Sequence, residues 1–257
     1  MYLHNNCEYE KSIDVMNSES ANVAIRIRSL TKRYDVVALD GLDLEVKRSE
    51  IMCLLGANGA GKTTTLQLLL GFQEPTAGDA WIYSHHVVRE RPAARAMVGY
   101  LPEVVDLYPW MTGVETLRYF EELAGSEDGS SHGLAALERV GLTARASRAR
   151  VATYSKGMRQ KLGLAVALAK NARVLLLDEP MSGLDPSAAN DLVGLLRQLR
   201  ERGLAILMVT HDIFRAHQVA DRIGIMRRGR LVEEVAPAQI TAARIEELYV
   251  HHLRDVA

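Results

Sequence analysis

Cysteine is nearly missing from this 257-residue chain, which has only Cys7 and Cys53. Two thiols build no disulfide framework, and their scarcity fits a reducing compartment. Long apolar runs are missing too: none approaches the ~20 residues that a membrane-spanning helix needs. The segment from Met1 to Asn22 is polar and lacks the apolar stretch of a secretory signal, so residues 1–21 read as a flexible tail. Neither sign of charge dominates. With 31 basic and 32 acidic residues the formal net charge is −1, which gives no general pull toward nucleic acid or anionic lipid. Internal repeats and low-complexity segments are also absent. The expectation is a chain that stays in the cytoplasm and reaches any membrane through another protein.

What is present is ordinary globular composition, 48% hydrophobic and 25% charged, with length for one large domain or two modest ones. Val23, Ile25 and Ile27 alternate with Arg26 and Arg28, and Leu42, Leu44 and Val46 alternate with Asp43, Glu45 and Lys47. These predict two half-buried strands. Further strands are expected at Ile51 to Leu55, Ala80 to Tyr83, Val98 to Leu101, Val174 to Leu177 and Leu204 to Val209. Helical spacing places Leu117, Phe120 and Leu123 on one face, then Leu134, Leu137 and Val140, then Leu162, Ala165, Val166 and Ala169. Leu192, Leu195, Leu196 and Leu199 mark a helix between the last two strands. This alternation predicts a parallel sheet with helices on both faces, interrupted by a helical insertion from about Pro102 to Lys170. Cys53 reads as strand core rather than a reactive thiol.

The most informative stretch is Gly56-Ala57-Asn58-Gly59-Ala60-Gly61-Lys62-Thr63. It is a complete Walker A phosphate loop, between an apolar strand and a helix predicted from Thr63 to Leu70. Its glycines let backbone N–H groups turn toward phosphates, Lys62 reaches the outer phosphates, Thr63 offers a hydroxyl to Mg²⁺, and the helix N-terminus adds its dipole. A nucleoside triphosphate is the implied ligand. Downstream, the strand Val174 to Leu177 runs into Asp178 and Glu179. At the strand end Asp178 can hold Mg²⁺, often through water, and Glu179 is placed to polarise an attacking water. Ser182-Gly183-Leu184-Asp185 follows, His211 opens the loop after the next strand, and Tyr154-Ser155-Lys156-Gly157-Met158-Arg159-Gln160 begins a helix.

In this ordered set of motifs the chain resembles the nucleotide-binding subunit of an ABC transporter, from Val23 to about Glu234. The resemblance implies an α/β P-loop NTPase over 22–257, with a mainly parallel sheet core, an N-terminal antiparallel β subdomain and a helical subdomain over about 102–170. It implies that ATP is bound by Gly56 to Thr64 and stacked on Tyr34, with Mg²⁺ held by Thr63, Asp178 and Glu103. Lys62, Glu179 and His211 would carry hydrolysis. Ser155 and Gly157 would clamp the γ-phosphate held by a partner subunit, and Asp185 would link the sites across the dimer.

There are two departures. Glu103 stands where the family usually has a glutamine, which leaves metal ligation open to a carboxylate but weakens the expectation of coupling to the permease. The usual Leu-Ser-Gly-Gly-Gln signature is Tyr-Ser-Lys-Gly-Met here, a variant similar to the branch that mostly exports substrates through a separate permease. The implied assembly is a homodimer, or a heterodimer with a related subunit, on two membrane permease subunits at the cytoplasmic face of the cell membrane, without nucleic acid. A soluble ABC-type ATPase acting on nucleic acid or ribosomes is the rival reading, but the long coiled-coil insertion or second fused ATPase domain of such proteins is absent.

Bland readings cover other features. The pairs His85-His86 and His251-His252 read as solvated surface histidines. Arg89, Arg91, Arg95, Arg227, Arg228 and Arg230 read as solvated charge. Leu107 to Met111, apolar and aromatic, reads equally as core of the insertion or as a docking surface for the permease.

Overall fold

The computed structural model describes residues 22–125, 133–169 and 172–254. The expected tail over 1–21, including Cys7, and Lys170 lie outside the described residues. The strands β1 (Val23–Arg33) and β2 (Val37–Lys47) pair antiparallel, with Ile27 opposite Leu44. Ile25, Ile27, Leu42, Leu44 and Val46 are all buried, as expected for the inward positions of a half-buried sheet. Next comes β3 (Ile51–Leu55), buried along its whole length, which leads through the phosphate loop into α1 (Lys62–Leu69). Then β4 (Ala77–Ile82) returns antiparallel to β1, with β5 (His85–His86) beyond it.

After α2 (Arg91–Ala96) and β6 (Val98–Leu101) the chain turns helical: α3 (Gly113–Leu123), α4 (Gly133–Arg139), α5 (Ala144–Ser147) and α6 (Lys156–Leu168). Strands resume with β7 (Val174–Asp178), followed by α7 (Pro186–Glu201), β8 (Ala205–Thr210) and α8 (Ile213–Val219). The hairpin β9 (Arg222–Arg227) and β10 (Arg230–Val235) precedes α9 (Ala242–Arg254).

Two sheets result, ordered β2-β1-β4-β5 and β10-β9-β3-β8-β7-β6. In the second, β9, β3, β8, β7 and β6 run parallel and β10 is antiparallel. The central strand β3 serves two apolar layers at once. Ile51, Cys53 and Leu55 face the layer that contains Leu162 of α6 and Leu192 and Leu196 of α7. Met52 and Leu54 face the layer formed with Leu66 and Leu69 of α1 and the antiparallel sheet. One face of the parallel sheet is therefore covered by helices, and the other largely by a second sheet rather than by helices alone.

Parallel register sets the site. Leu55 pairs with Thr210 and Asp178 with Val209, so the carboxyl ends of β3, β8 and β7 lie at one edge. In parallel sheets that edge is where ligands bind.

Several expectations are corrected. His86 is buried: its Nε2 lies 2.7 Å from Asp79 Oδ1, and Val88 and Arg89 donate their N–H groups to its Nδ1 at 3.1 and 3.2 Å. Those donors leave Nδ1 unprotonated and put the proton on Nε2, facing Asp79. His85 bonds to Glu90 and His252 to Glu233, so these rings have acidic partners that sequence spacing concealed. Arg91 is half-buried and pairs with Glu74, whereas Arg95 and Arg230 are exposed as expected, Arg95 donating to the Leu70 and Gly71 carbonyls and Arg230 pairing with Asp40. Leu123 is exposed, off the inward face of Leu117. Tyr83 lies just past its strand, at φ 52°.

Candidate functional site

The loop after β3 is shaped by two glycines with different reasons. Gly61 has φ +103°, and a Cβ there would meet Ala38 O at 2.6 Å and Leu39 Cδ2 at 2.7 Å. Gly59 has φ +80° with open space around it, so only its backbone conformation requires glycine. Gly61 is also the N-cap of α1, whose first turn carries no acidic residue. No side chain in the helix's own first turn therefore offsets the positive end of its dipole, which faces the loop. Ala57 through Thr64 line a cavity of about 150 Å³.

Lys62 begins α1 and is buried; its ammonium donates to the Gly56 carbonyl and to Ala57 O at 3.2 Å. Burial pulls its pKa below the usual lysine range, against the opposing pull of the Glu179 and Asp178 carboxylates. Thr63, the next residue, donates its hydroxyl to Asp178 Oδ1 at 3.4 Å.

Asp178 closes β7 and is 7% exposed. Burial pushes its carboxyl above the ordinary range; the Thr63 hydrogen bond opposes this, while the charges of Glu179 and Glu103 add to it. Glu179 follows at φ 45°, a conformation that only Gly, Asn and Asp adopt routinely. Its backbone N–H donates to Val209 O at 2.9 Å. Its carboxylate accepts from Thr210 Oγ1 at 2.7 Å and lies 2.7 Å from His211 Nδ1. A non-glycine residue held at positive φ at a strand end, with both carboxylate oxygens engaged, is strain of the kind that clusters at working sites. The His211 ring remains 59% exposed and faces outward from this pair.

Glu103, two residues past β6, is exposed, with Ser182 Oγ 3.5 Å from its Oε1. Its carbonyl accepts from Gln160.

The structure thus brings Lys62, Thr63, Asp178, Glu179 and His211 to one edge. Glu103 lies near that edge, its charge acting on Asp178, and the other predicted residues outside the phosphate loop stand apart. Ser155 is the exposed N-cap of α6 and accepts from Met158 N at 3.2 Å. Asp185 is the exposed N-cap of α7 and accepts from Ala188 N at 3.0 Å. Gly157 is buried between these helix starts, where a Cβ would lie 3.0 Å from that of Ala188. Among the described residues, none of the three hydrogen-bonds to the phosphate loop. Tyr34 is 48% exposed just past β1, with the Lys32 ammonium 5.0 Å from its ring centre.

Sequence reasoning missed Thr210 and Ser182. Thr210 directly precedes His211 at the end of β8 and could have been found from that position. Ser182 carries no signal beyond its place in the turn. The aromatic segment resolves toward the surface: Trp110 is 65% and Tyr108 37% exposed, and with Phe120 they line a cavity of about 340 Å³.

Known proteins resemble this chain along most of its length. The ABC transporter family model matches residues 39–182. The Nod factor export ATP-binding protein I of Burkholderia orbicola (strain AU 1054) is 39% identical over 224 residues, covering 86% of this chain and 73% of that one. The fluoroquinolones export ATP-binding protein of Mycobacterium tuberculosis (strain CDC 1551 / Oshkosh) is 36% identical, covering 90% and 76%. Among solved structures, an ATP binding subunit of an ABC transporter superposes with TM-score 0.75 at 28% identity, covering 89% of this chain and 98% of that one. A dimeric ATP-binding cassette in a post-hydrolysis state, bound to ADP and Pi, gives TM-score 0.73 at 26% identity, covering 83% and 98%.

Proposed function

This chain belongs to the ABC transporter family as an ATP-binding, ATP-hydrolysing subunit, and from that premise we propose that it drives export through a separate membrane permease. Export is favoured by relatives named for export of Nod factor and of fluoroquinolones. The variant signature at Tyr154 to Met158 points the same way. The observation that carries the chemistry is the single edge holding the phosphate loop, Asp178, and Glu179 braced by Thr210 and His211.

Each residue has a role that its surroundings support. Gly56 to Thr64 cradle the phosphates, with Lys62 supplying the cation among them. Thr63 and Asp178 are hard oxygen donors near each other, and the desolvated Asp178 carboxylate is stabilised by a cation, so the pair fits Mg²⁺. Glu103 is a further carboxylate on the same side. Bound there, Mg²⁺ would neutralise charge on the β and γ oxygens. Glu179 accepts a proton from, and orients, the attacking water. His211 holds Glu179 in place and, with Lys62, faces charge developing on the transferred phosphoryl group. Tyr34 offers its exposed face to adenine.

Ser155, Gly157 and Asp185 stand apart from this edge because they serve a second copy in a head-to-tail dimer. There Ser155 and the start of α6 close over the partner's nucleotide. Closure on ATP and opening after hydrolysis would drive the permease. The chain would then work on the cytoplasmic face of the membrane, with residues 22–257 as the ATPase unit and 1–21 as an appended tail. Affinity purification of the full chain from detergent-solubilised membranes tests this. A polytopic membrane protein should copurify and should raise ATP turnover; recovery of ribosomes or DNA instead would overturn it.

A further inference from the structure

Lys156, like Lys62 at the start of α1, sits where helix electrostatics disfavour a cation. Lys156 is the first residue of α6, next to its N-cap Ser155, and that helix has no acidic residue in its first turn. A positive side chain there opposes the helix dipole by ~0.3–1 kcal/mol. The side chain folds back onto the turn between β7 and α7: a Cβ built on Gly183 would lie 3.1 Å from Lys156 Nζ and 3.9 Å from its Cδ. Gly183 itself has φ +62°, a backbone conformation that side-chain-bearing residues rarely adopt. Gly157 makes the reciprocal fit, with a built Cβ 3.0 Å from Ala188 Cβ and 4.0 Å from Leu184 Cδ2. The start of α6 and the Ser182-to-Asp185 turn are therefore interlocked within one chain.

That turn is tied directly to the acid. Ser182 N donates to Glu179 O at 3.1 Å and Leu184 N to Met181 O at 3.2 Å. Ser182 Oγ also reaches Glu103 Oε1 at 3.5 Å. Glu179, with its positive φ, sits at the near end of this short run. Displacement of the turn moves the backbone that aims its carboxylate.

We propose that Lys156 is a positioning residue that couples the two nucleotide sites. Seating of Ser155 on the partner's nucleotide shifts the start of α6. Lys156 passes that shift through the Gly183 turn to Glu179 of its own chain. The inference rests on the dimeric ATPase reading above and adds a residue to it.

The test uses the full-length chain with Mg-ATP, measuring turnover, its Hill coefficient, and binding of a fluorescent ATP analogue. Lys156→Ala should lower kcat about tenfold and bring the Hill coefficient toward one, while analogue affinity stays within about twofold. Lys156→Arg should recover most of both losses, which mere loss of packing would not predict. Unchanged kcat and Hill coefficient in Lys156→Ala, or equal losses in Lys156→Ala and Lys156→Arg, overturn the inference. Chain association on ATP is scored in parallel by light scattering. If the wild-type chain associates and is cooperative but Lys156→Ala is normal, only the role of Lys156 fails. A strictly monomeric chain fails the dimeric reading and this inference together.

Discussion

At the residue scale, Asp178 shows a site residue that weakens the fold on its own. Its carboxyl is held above the ordinary carboxylate range chiefly by burial. A raised pKa means that the folded chain binds the proton more tightly than the unfolded one. Without nucleotide, stability is therefore highest while the group is protonated. It falls as pH climbs from the usual carboxylate range through the raised value. Asp178→Asn keeps the shape and removes the charge. Its melting temperature without nucleotide at neutral pH should exceed that of the wild type, and the difference should close as pH drops below the ordinary carboxylate range. The stabilisation that the wild type gains from Mg-ATP should largely disappear in the variant. Scanning calorimetry across pH, with and without Mg-ATP, reads all three; an Asn variant less stable at neutral pH and still stabilised by Mg-ATP would remove Asp178 from this role. The acid pair was legible in the sequence because an apolar strand ran straight into it. The Thr210 bond to Glu179 was not, because it depends on β7 and β8 being neighbours, and pairing of strands separated by a long helix leaves no local mark.

At the element scale, short-range rules worked where a segment's partner lies nearby in sequence. β1 and β2 turn Ile25, Ile27, Leu42, Leu44 and Val46 to one buried face, and the Walker A loop carries its glycines for local backbone reasons. The rules failed where the partner is distant or the context is unusual. His86 looked like a surface residue because no Cys or acidic partner stands at ligand spacing, yet Asp79 on the adjacent strand and the turn N–H groups of Val88 and Arg89 enclose it. Sequence spacing showed the apolar face of α3 but not what starts the helix. Thr112 and Glu115 form a reciprocal capping box: Glu115 N donates to Thr112 Oγ1 at 3.2 Å, and Thr112 N donates to Glu115 Oε2 at 2.7 Å. Thr112 also bridges to Arg150, which ties the start of α3 to the segment before α6. Thr112→Ala removes one half of the box and should cost ~1 kcal/mol, or about 2–4 °C in melting temperature for a domain of this size. Thermal denaturation checks it, and an unchanged melting temperature would show that the cap contributes nothing.

At the scale of the whole molecule, the fold leaves the reaction machinery divided. The edge that holds Lys62, Asp178, Glu179 and His211 belongs to the parallel sheet, while Ser155 and Asp185 cap helices whose exposed starts make no bond to it. In the proposed dimer, such residues complete a site only when a second copy presents them. The assembled state should therefore persist if nucleotide binds but the water is no longer activated. Glu179→Gln preserves the side-chain shape and its hydrogen bond from Thr210, and it removes the proton acceptor. Turnover should fall by about a hundredfold or more, within the usual loss for a general base, while ATP affinity stays close to the wild type. On a sizing column with Mg-ATP the variant should run as a dimer, and Ser155→Ala added to it should shift the population back toward monomer. The closed state depends on contacts from both chains, so losing one of them weakens association without touching the phosphate loop. A Glu179→Gln chain that turns over normally would deny the carboxylate its role. One that binds ATP yet stays monomeric would mean that Ser155 and Asp185 face no second copy.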